Sequence, residues 1–373
     1  MKSNEKNEVG NALEEATYAY RTENEKVQVY RTHAWDTAGD VWRTEQMALK
    51  VVRSTEQPFS LMCNKFSNRN FIKPTKLGSL IINSLKTDVD AVSKCYPMHT
   101  LNPYIKLYFE QASKRQLFGL PWVLHVLTDE ECHARLDDLN DFVKEVRQIG
   151  RSADFRKTIG DFERSSNKNY RELCKFFDEH FEQYSRLLIL RIDLGYQKPK
   201  DWPGKLDNDV TYADVKAHRL ALLRHLKNGL PPKSFVNYAL KLEFGLDKHW
   251  HYHLLVLLDG SVVREDVTIA MLIGEHWKKE ITNGKGLYWN CNANKESYKS
   301  CGIGMVSHSD SAAHEGLKKA ALYLTKTDYY VSLQVPGKDR IFWKGNMPKP
   351  KTTSVGRPRT RVYEQPGLSA AGA

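Results

Sequence analysis

A carboxylate and several histidines lie close together in the stretch from Lys241 to Gly260, on either side of a predicted turn. Successive side chains of a β-strand alternate between its faces, so His251 and His253 share one face of the strand after the turn. The same alternation puts Glu243 on the polar face of the strand before it. Two imidazoles and one carboxylate suit Mn, Zn or Mg and leave open positions on the cation, which is typical of catalytic metal sites. The stretch therefore predicts a metal site with Glu243, His251 and His253 as ligands.

A candidate nucleophile follows about seventy residues later, in the sequence Tyr323-Leu-Thr-Lys326. Spacing by three residues puts the phenol and the ammonium on one side of a helix, where the cation can favour a phenolate or bind a phosphate. Tyrosine beside a metal indicates a covalent phosphoryl-transfer nucleophile. Alone, Tyr323 would more often be an ordinary helix-surface residue, and only the combination favours chemistry. His249 shares the face of His251 and His253, but it falls in the predicted turn, so we expect it to be a neighbour of the site.

The elements around these residues predict an α+β fold. The order strand, helix, strand, strand, helix, strand between residues 186 and 306 is that of the split β-α-β (ferredoxin/RRM-like) unit, in which the first and third strands are adjacent in an antiparallel sheet. This places Arg191 and Asp193 beside the histidines, on a polar face that we expect to be open, whereas two crossover helices cover the apolar face. Asp193 either orients a histidine or is a solvated strand residue.

The composition is that of a soluble globular protein: 373 residues, 41% hydrophobic and 27% charged. This length predicts two domains, or one domain with a sizeable accessory region. No apolar run approaches the roughly 20 residues that cross a bilayer, and the N-terminus lacks a signal-peptide core. Six scattered cysteines without a C-x-x-C pair indicate reduced thiols. We therefore expect a cytoplasmic protein without a membrane partner.

Four regions follow from the patterning. Residues 1–55 are a polar lead-in, poorly ordered or partly helical, and residues 56–183 carry the apolar stripes of a helical accessory region. One of its helices is predicted to begin at the capping box Thr128-Asp-Glu-Glu131. Residues 184–348 form the α+β domain, and residues 349–373 form a basic, disordered tail.

Positive charge is concentrated after Gln334, where eight basic residues face two acidic ones, against a net charge of +11 for the whole chain. Gly356-Arg-Pro-Arg359 has the form of an AT-hook, whose arginines enter narrow minor grooves; a solvated basic tail is the equal alternative. Either version raises salt-sensitive affinity for DNA. The candidate DNA contacts are Arg191, Arg340, Lys351, Arg357 and Arg359.

Together, Arg191-Ile-Asp-Leu, Glu243 upstream of His251-Tyr-His253, and Tyr323-Leu-Thr-Lys326 resemble the HUH endonucleases, nickases that initiate rolling-circle replication. The resemblance covers residues 184–348. Four further motifs are similar to those of the inovirus gene-two-product-like replication proteins of phages and prophages: Gly274-Glu-His-Trp, Tyr288-Trp-Asn-Cys-Asn, Gly302-Ile-Gly-Met and Tyr323-Leu-Thr-Lys-Thr-Asp-Tyr-Tyr330.

The resemblance implies that Mg or Mn at the histidines polarises a phosphodiester of single-stranded or extruded origin DNA, and that Tyr323 forms a 5′-phosphotyrosine. Lys326 would position metal or phosphate, and Arg191 would contact the DNA backbone. A bacterial host's helicase and single-strand binding protein are the further partners it implies. Two alternatives stay open: a single-tyrosine HUH transposase, and a non-catalytic prophage DNA-binding regulator.

Overall fold

The computed structural model describes residues 3–16, 19–23, 26–32, 34–66, 68–119, 127–197, 210–245, 248–298 and 300–349. Over these residues the chain is a mixed α+β protein in which the strands pair antiparallel, which confirms the predicted class. No helix in the described ranges combines the length and the apolar character needed to span a membrane.

The N-terminal region, residues 3–183, is mainly helical, although it also contains strands. Its elements are α1 (Ser3–Ala16), β1 (Ala19–Glu23), β2 (Lys26–Tyr30), α2 (Ala34–Arg53), β3 (Phe59–Asn64), β4 (Arg69–Pro74), α3 (Lys76–Ser84), α4 (Val89–Cys95), β5 (His99–Leu101), α5 (Pro103–Lys114), α6 (Asp129–Gly150) and α7 (Ala153–Gln183).

The remaining elements form the sheet domain and its covering helices. They are β6 (Arg186–Tyr196), α8 (Tyr212–Asn228), β7 (Phe235–Gly245), β8 (His249–Asp259), α9 (Asp266–His276), β9 (Gly286–Asn290), β10 (Gly304–Ser307), α10 (Ser311–Lys326), β11 (Val331–Leu333) and β12 (Phe342–Lys344). A π-helical turn, Trp277–Ile281, extends α9, and a 3-10 turn, Thr327–Tyr329, follows α10.

Local sequence explains where several helices begin. Thr128 and Glu131 form the predicted capping box, in which the threonine hydroxyl accepts from the amide of Glu131 and the glutamate accepts from the amide of Thr128. Thr211 and Asp214 do the same for α8. The supposed lead-in contains α2, whose residues Val41, Ala48 and Val51 join the N-terminal core, because an amphipathic helix can bury its stripe despite a polar average composition.

The central sheet has the strand order β10-β6-β8-β7-β12, and β9 also pairs with β6. Strands β6 and β8 are neighbours, with Asp193 opposite His253 in the register. Strands β7 and β8 form the hairpin that includes the histidines, and Glu243 lies opposite His251. The register therefore gathers the polar residues of three strands at one end of one sheet face.

Both faces of the sheet are covered. Leu190, Ile192 and Leu194 of β6 pack with α8 and α9. On the opposite face, Leu187 and Ile189 pack with residues of α7 and α10. The expectation of an open polar face is therefore wrong, because this face is apolar at one end and polar only at the other, and the apolar end requires helices of its own.

Helix α7 lies within the predicted accessory region, residues 56–183, and its residues Leu173, Phe177 and Phe181 pack on the sheet. The chain after α10 returns to the N-terminal region, where Tyr329 and Tyr330 enter the core of that region and β11 pairs with β5. The helix that contains Tyr323 is therefore attached to both parts of the molecule.

Candidate active site

The β7–β8 hairpin supports the three predicted metal ligands. Nε2 of His253 lies 3.3 Å from Oε2 of Glu243, and Nε2 of His251 lies 3.6 Å from the same oxygen. The ligand atoms of all three residues lie within 4.8 Å of one another. This group could bind a metal ion, as the strand alternation predicted. His249, the first residue of β8, has a positive φ of 53° and stays outside the group.

The other ring nitrogens of both histidines face oxygen acceptors. Nδ1 of His251 is 2.9 Å from the carbonyl oxygen of His249, and Nδ1 of His253 is 2.6 Å from Oδ1 of Asp193. An oxygen acceptor requires an N–H donor, so each Nδ1 carries the proton. Each neutral ring then directs its Nε2 lone pair at the carboxylate of Glu243.

A lone pair facing a carboxylate is repulsive unless a cation lies between them. For His253 a proton can serve: burial lowers its pKa, but Asp193 and Glu243 together raise it above the ordinary value. For His251 burial lowers the pKa, and its Nε2 has no hydrogen-bond partner among the described residues. A buried polar atom without a partner is costly, and a metal ion would satisfy both lone pairs at once. The donor set therefore fits a divalent cation.

Asp193 orients His253, which decides between the two roles left open for it. Its carboxylate is 8% exposed and accepts the Nδ1 proton of His253. Burial alone would raise the pKa of Asp193, but His253 and then Arg191 lower it well below its usual range. A carboxylate behind a metal-binding imidazole fixes the ring's tautomer and raises its basicity.

Tyr323 lies against these groups. Its ring packs edge-on to His253, with 5.3 Å between the ring centroids. The guanidinium carbon of Arg191 lies 4.5 Å from the centroid of the same ring, in a cation–π contact. The fold thus brings the predicted nucleophile beside a predicted metal ligand from which it is separated by seventy residues of chain.

The remaining predicted residues lie elsewhere. The ammonium of Lys326 donates to Asn167 of α7 and lies 5.4 Å from the ring of Tyr170, so it is directed at α7. Arg340 is exposed and lies between the 3-10 turn Pro336–Lys338 and β12. The predicted contacts in the tail, Lys351, Arg357 and Arg359, lie outside the described residues.

Backbone packing sets the position of α10. A Cβ at Gly316 would lie 2.5 Å from the backbone of Cys301, and a Cβ at Gly302 would lie 2.3 Å from the amide nitrogen of Leu317. These two glycines therefore let the loop before β10 touch the backbone of α10. The contact explains why the Gly302-Ile-Gly-Met motif begins with a glycine. Beyond the helix, the hydroxyl of Thr327 donates to Glu243 over 3.3 Å.

The sequence did not identify Lys248 as part of the site. Lys248 precedes β8 and lines a cavity with Glu243 and His251. Burial lowers its pKa, while Asp193 and Glu243 raise it, so its ammonium lies within the field of both carboxylates. No periodicity marks a turn residue, and the one available signal was its adjacency to the histidine cluster.

Asn292 is a second residue whose role was missed. The edge of β6 is paired with β10 at one end and with β9 at the other, and Asn292 bridges the gap between them. Its Oδ1 accepts from the amide of Arg191 at 2.8 Å, and its Nδ2 donates to the carbonyl of Ile189 at 3.0 Å and to Asp266 at 2.9 Å. In this gap the Asn292 side chain makes the backbone hydrogen bonds that a neighbouring strand would otherwise make, and it fixes the backbone of Arg191. The Tyr288-Trp-Asn-Cys-Asn motif was the signal for it.

The site is closed to solvent in this conformation. His251 is 6% exposed, His253 is 1% exposed and Tyr323 is 9% exposed. Helix α7 packs along α10, and residues of the N-terminal region line the cavity on the other side of Glu243. A macromolecular substrate can reach Tyr323 only when part of this cover moves.

One comparison with known proteins gave a match. The model of the family described as "YagK/YfjJ C-terminal domain" matches residues 153–342, from the start of α7 to β12. The searches of the curated proteins and of the solved structures found no match. The matched segment contains the metal-ligand group, Asp193 and Tyr323, and its N-terminal limit agrees with the packing of α7 on the sheet.

Proposed function

The chain belongs to the YagK/YfjJ C-terminal domain family, and from the geometry of its own site we propose that it nicks and rejoins single-stranded DNA. The reaction would pass through a covalent 5′-phosphotyrosine at Tyr323 and would require a divalent metal. In this proposal the chain is an HUH-type initiator of rolling-circle replication.

The observation that carries the proposal is the position of Tyr323. Its ring contacts His253, a candidate metal ligand, and lies under the guanidinium of Arg191. A nucleophile, a metal-ligand group and a fixed cation are the three parts that phosphoryl transfer by a side chain needs. The strand order, in which β6 lies between β10 and β8, also supports the split β-α-β arrangement of the HUH nucleases.

In the proposed step the Tyr323 oxygen attacks the phosphorus of a phosphodiester. A bond from that oxygen to phosphorus forms, and the bond from phosphorus to the 3′ oxygen breaks. The phenol loses its proton and the 3′ oxygen gains one, which leaves a free 3′-hydroxyl. The reverse reaction reseals a strand, because the phosphotyrosine keeps the energy of the ester bond.

The bound metal would supply a Lewis acid for the phosphate oxygens. Glu243, His251 and His253 would hold it, Asp193 would keep His253 in the required tautomer, and Arg191 would offset negative charge near the phenol. Two imidazoles with one carboxylate favour Mn over Mg, although both are compatible with the open positions that phosphate oxygens need.

Single-stranded or extruded origin DNA is the proposed substrate. The exposed Arg340 lies in the basic segment that continues into the tail, and such charge would raise DNA affinity in a salt-dependent way. Host helicase and single-strand binding protein in a bacterial cytoplasm are the partners that such a reaction would use.

The test is formation of an adduct with DNA. Purified chain is incubated with a random single-stranded oligonucleotide library and Mn²⁺, and covalent protein–DNA complexes are separated on a denaturing gel. We expect a slower band that EDTA abolishes and that Tyr323→Phe lacks, whereas Tyr184→Phe, the loss of a tyrosine hydroxyl away from the site, keeps it. An adduct formed equally by Tyr323→Phe would remove Tyr323 from its role.

A second candidate is a non-catalytic DNA-binding regulator, which the burial of Tyr323 at 9% exposure favours. A regulator would protect a specific duplex in footprinting, and it would form no adduct with any member of the library at any metal concentration. Nicking with a retained adduct would exclude it.

A further inference from the structure

A cavity of about 60 Å³ lies between the N-terminal region and the β7–β8 hairpin. Its walls include Tyr96 and His99 from the N-terminal region, and Glu243, Lys248 and His251 from the hairpin. This volume exceeds the roughly 15 Å³ that a cavity needs to hold one water, so the cavity has room for a small polar group. Tyr96 and His99 lie outside the segment that matches the family, so nothing about that family assigns them a role.

Buried polar atoms without partners converge on this cavity. The hydroxyl of Tyr96 and Nδ1 of His99 are each buried and have no partner within hydrogen-bonding geometry in the part of the chain that the structure describes. Such an atom costs about 1–3 kcal/mol, so two beside one cavity indicate a ligand that satisfies them.

Most of the cavity wall is apolar, and both of its carboxylates are engaged by other groups. Asp328 accepts from the buried ammonium of Lys241, and Glu243 faces the two metal-ligand histidines. The hydroxyl of Tyr96 and the ammonium of Lys248 are donors, and the imidazole of His99 can present an N–H.

Tyr96 and His99 are both in a protonation state that can donate a hydrogen bond. Burial, followed by the neighbouring Cys95, raises the pKa of Tyr96 well above its usual value, so the phenol keeps its proton. Burial lowers the pKa of His99 to about 4, so its imidazole is neutral near pH 7. A neutral imidazole still has one N–H to donate.

We propose that this cavity is a phosphate subsite, in which Tyr96, His99 and Lys248 bind the oxygens of a phosphate group beside the metal ligands. The inference rests on the proposed function, for which it names a backbone phosphodiester of the DNA strand next to the one that is cleaved. The N-terminal region thereby becomes part of the substrate site. Free inorganic phosphate offers the same oxygens, so the experiment separates the two sources.

The experiment measures binding by the full-length chain, with Mn²⁺ present, in titration calorimetry. The probes are inorganic phosphate and a single-stranded oligothymidylate, each tested with wild type, Tyr96→Phe and His99→Gln. Loss of one hydrogen bond to a charged phosphate weakens binding by about tenfold. Tyr104→Phe and His133→Gln are the matched controls, because they make the same chemical changes elsewhere in the N-terminal region. Unchanged thermal melting shows that each variant is folded.

Weaker binding of the oligonucleotide in both cavity variants supports a DNA phosphodiester as the occupant, and weaker binding of inorganic phosphate alone supports a free phosphate. Wild-type affinity for both probes in both cavity variants overturns the subsite, as does failure of the wild type to bind either probe. Adduct formation by the wild type is scored separately. If the cavity variants bind more weakly but the wild type forms no adduct, the subsite stands and the nickase is refuted. If the wild type forms an adduct and the variants bind like the wild type, the nickase stands and the subsite is refuted.

Discussion

Replacing Asp193 by asparagine tests how the site holds its metal. The substitution keeps the size of the side chain and removes the charge that faces Nδ1 of His253 across 2.6 Å. Apart from burial, which lowers the pKa of His253, Asp193 is the largest influence on that pKa, and it raises it. Asp193→Asn should therefore lower the pKa of His253 and make Nε2 a weaker metal ligand. Loss of such a partner typically weakens metal binding by about 10–100-fold, or about 1.4–2.7 kcal/mol.

The pH dependence sharpens this prediction. In the wild type, protons compete with the metal for His253 as the pH falls through its raised pKa, which begins above the 6.5 of an ordinary histidine. In Asp193→Asn the pKa is lower, so competition begins at a lower pH. We therefore expect the affinity gap between the two proteins to be widest near pH 8 and to narrow toward pH 6.

Calorimetric titration with Mn²⁺ across this pH range measures both effects. Asp339→Asn is the control, because that exposed carboxylate pairs with Lys216 and Tyr212 at the surface. Equal affinities of wild type and Asp193→Asn at pH 8, or a gap that widens as the pH falls, would refute the reasoning.

Three further predictions concern stability, measured by urea denaturation. Lys241→Met should cost up to about 3 kcal/mol because it leaves the carboxylate of Asp328, whose side chain is only 15% exposed, unpaired; adding Asp328→Leu should recover most of the loss, and equal losses would contradict this. Asn292→Ala should cost about 1–3 kcal/mol per group left unsatisfied at the edge of β6, and an unchanged midpoint would argue against the bridge. Gly316→Ala should destabilise because its Cβ would lie 2.5 Å from loop backbone, whereas Gly160→Ala, in open space on α7, should stabilise by about 0.5–1 kcal/mol; the same sign for both would refute the close approach.

The sequence predicted those parts of the fold that short-range patterns encode. The order strand, helix, strand, strand, helix, strand was predicted from such patterns, and the capping box at Thr128 marked the start of α6. Strand alternation brought Glu243, His251 and His253 to one face, because cross-strand register follows from hairpin geometry.

Contacts between distant segments could not be predicted in this way. The apolar stripe of α7 predicted a buried helix face, but it did not show whether that face packs in the N-terminal core or on the sheet. Lys248 joins the site only because the hairpin turn places it near Asp193, and Tyr96 and His99 reach the cavity from a region with no recognised motif. Burial of the polar face also depends on helices that are separated from β8 along the chain.

Peptide-mapping mass spectrometry of the covalent complex tests the central claim most directly, because it identifies the residue that attacks DNA. Wild-type chain is incubated with the single-stranded library and Mn²⁺, then digested with nuclease and protease. We predict that the peptide containing Tyr323 gains the mass of a nucleotide monophosphate, and that the gain disappears with EDTA. A nucleotide on another residue, or none on any peptide while metal is bound at Glu243, His251 and His253, would contradict the account.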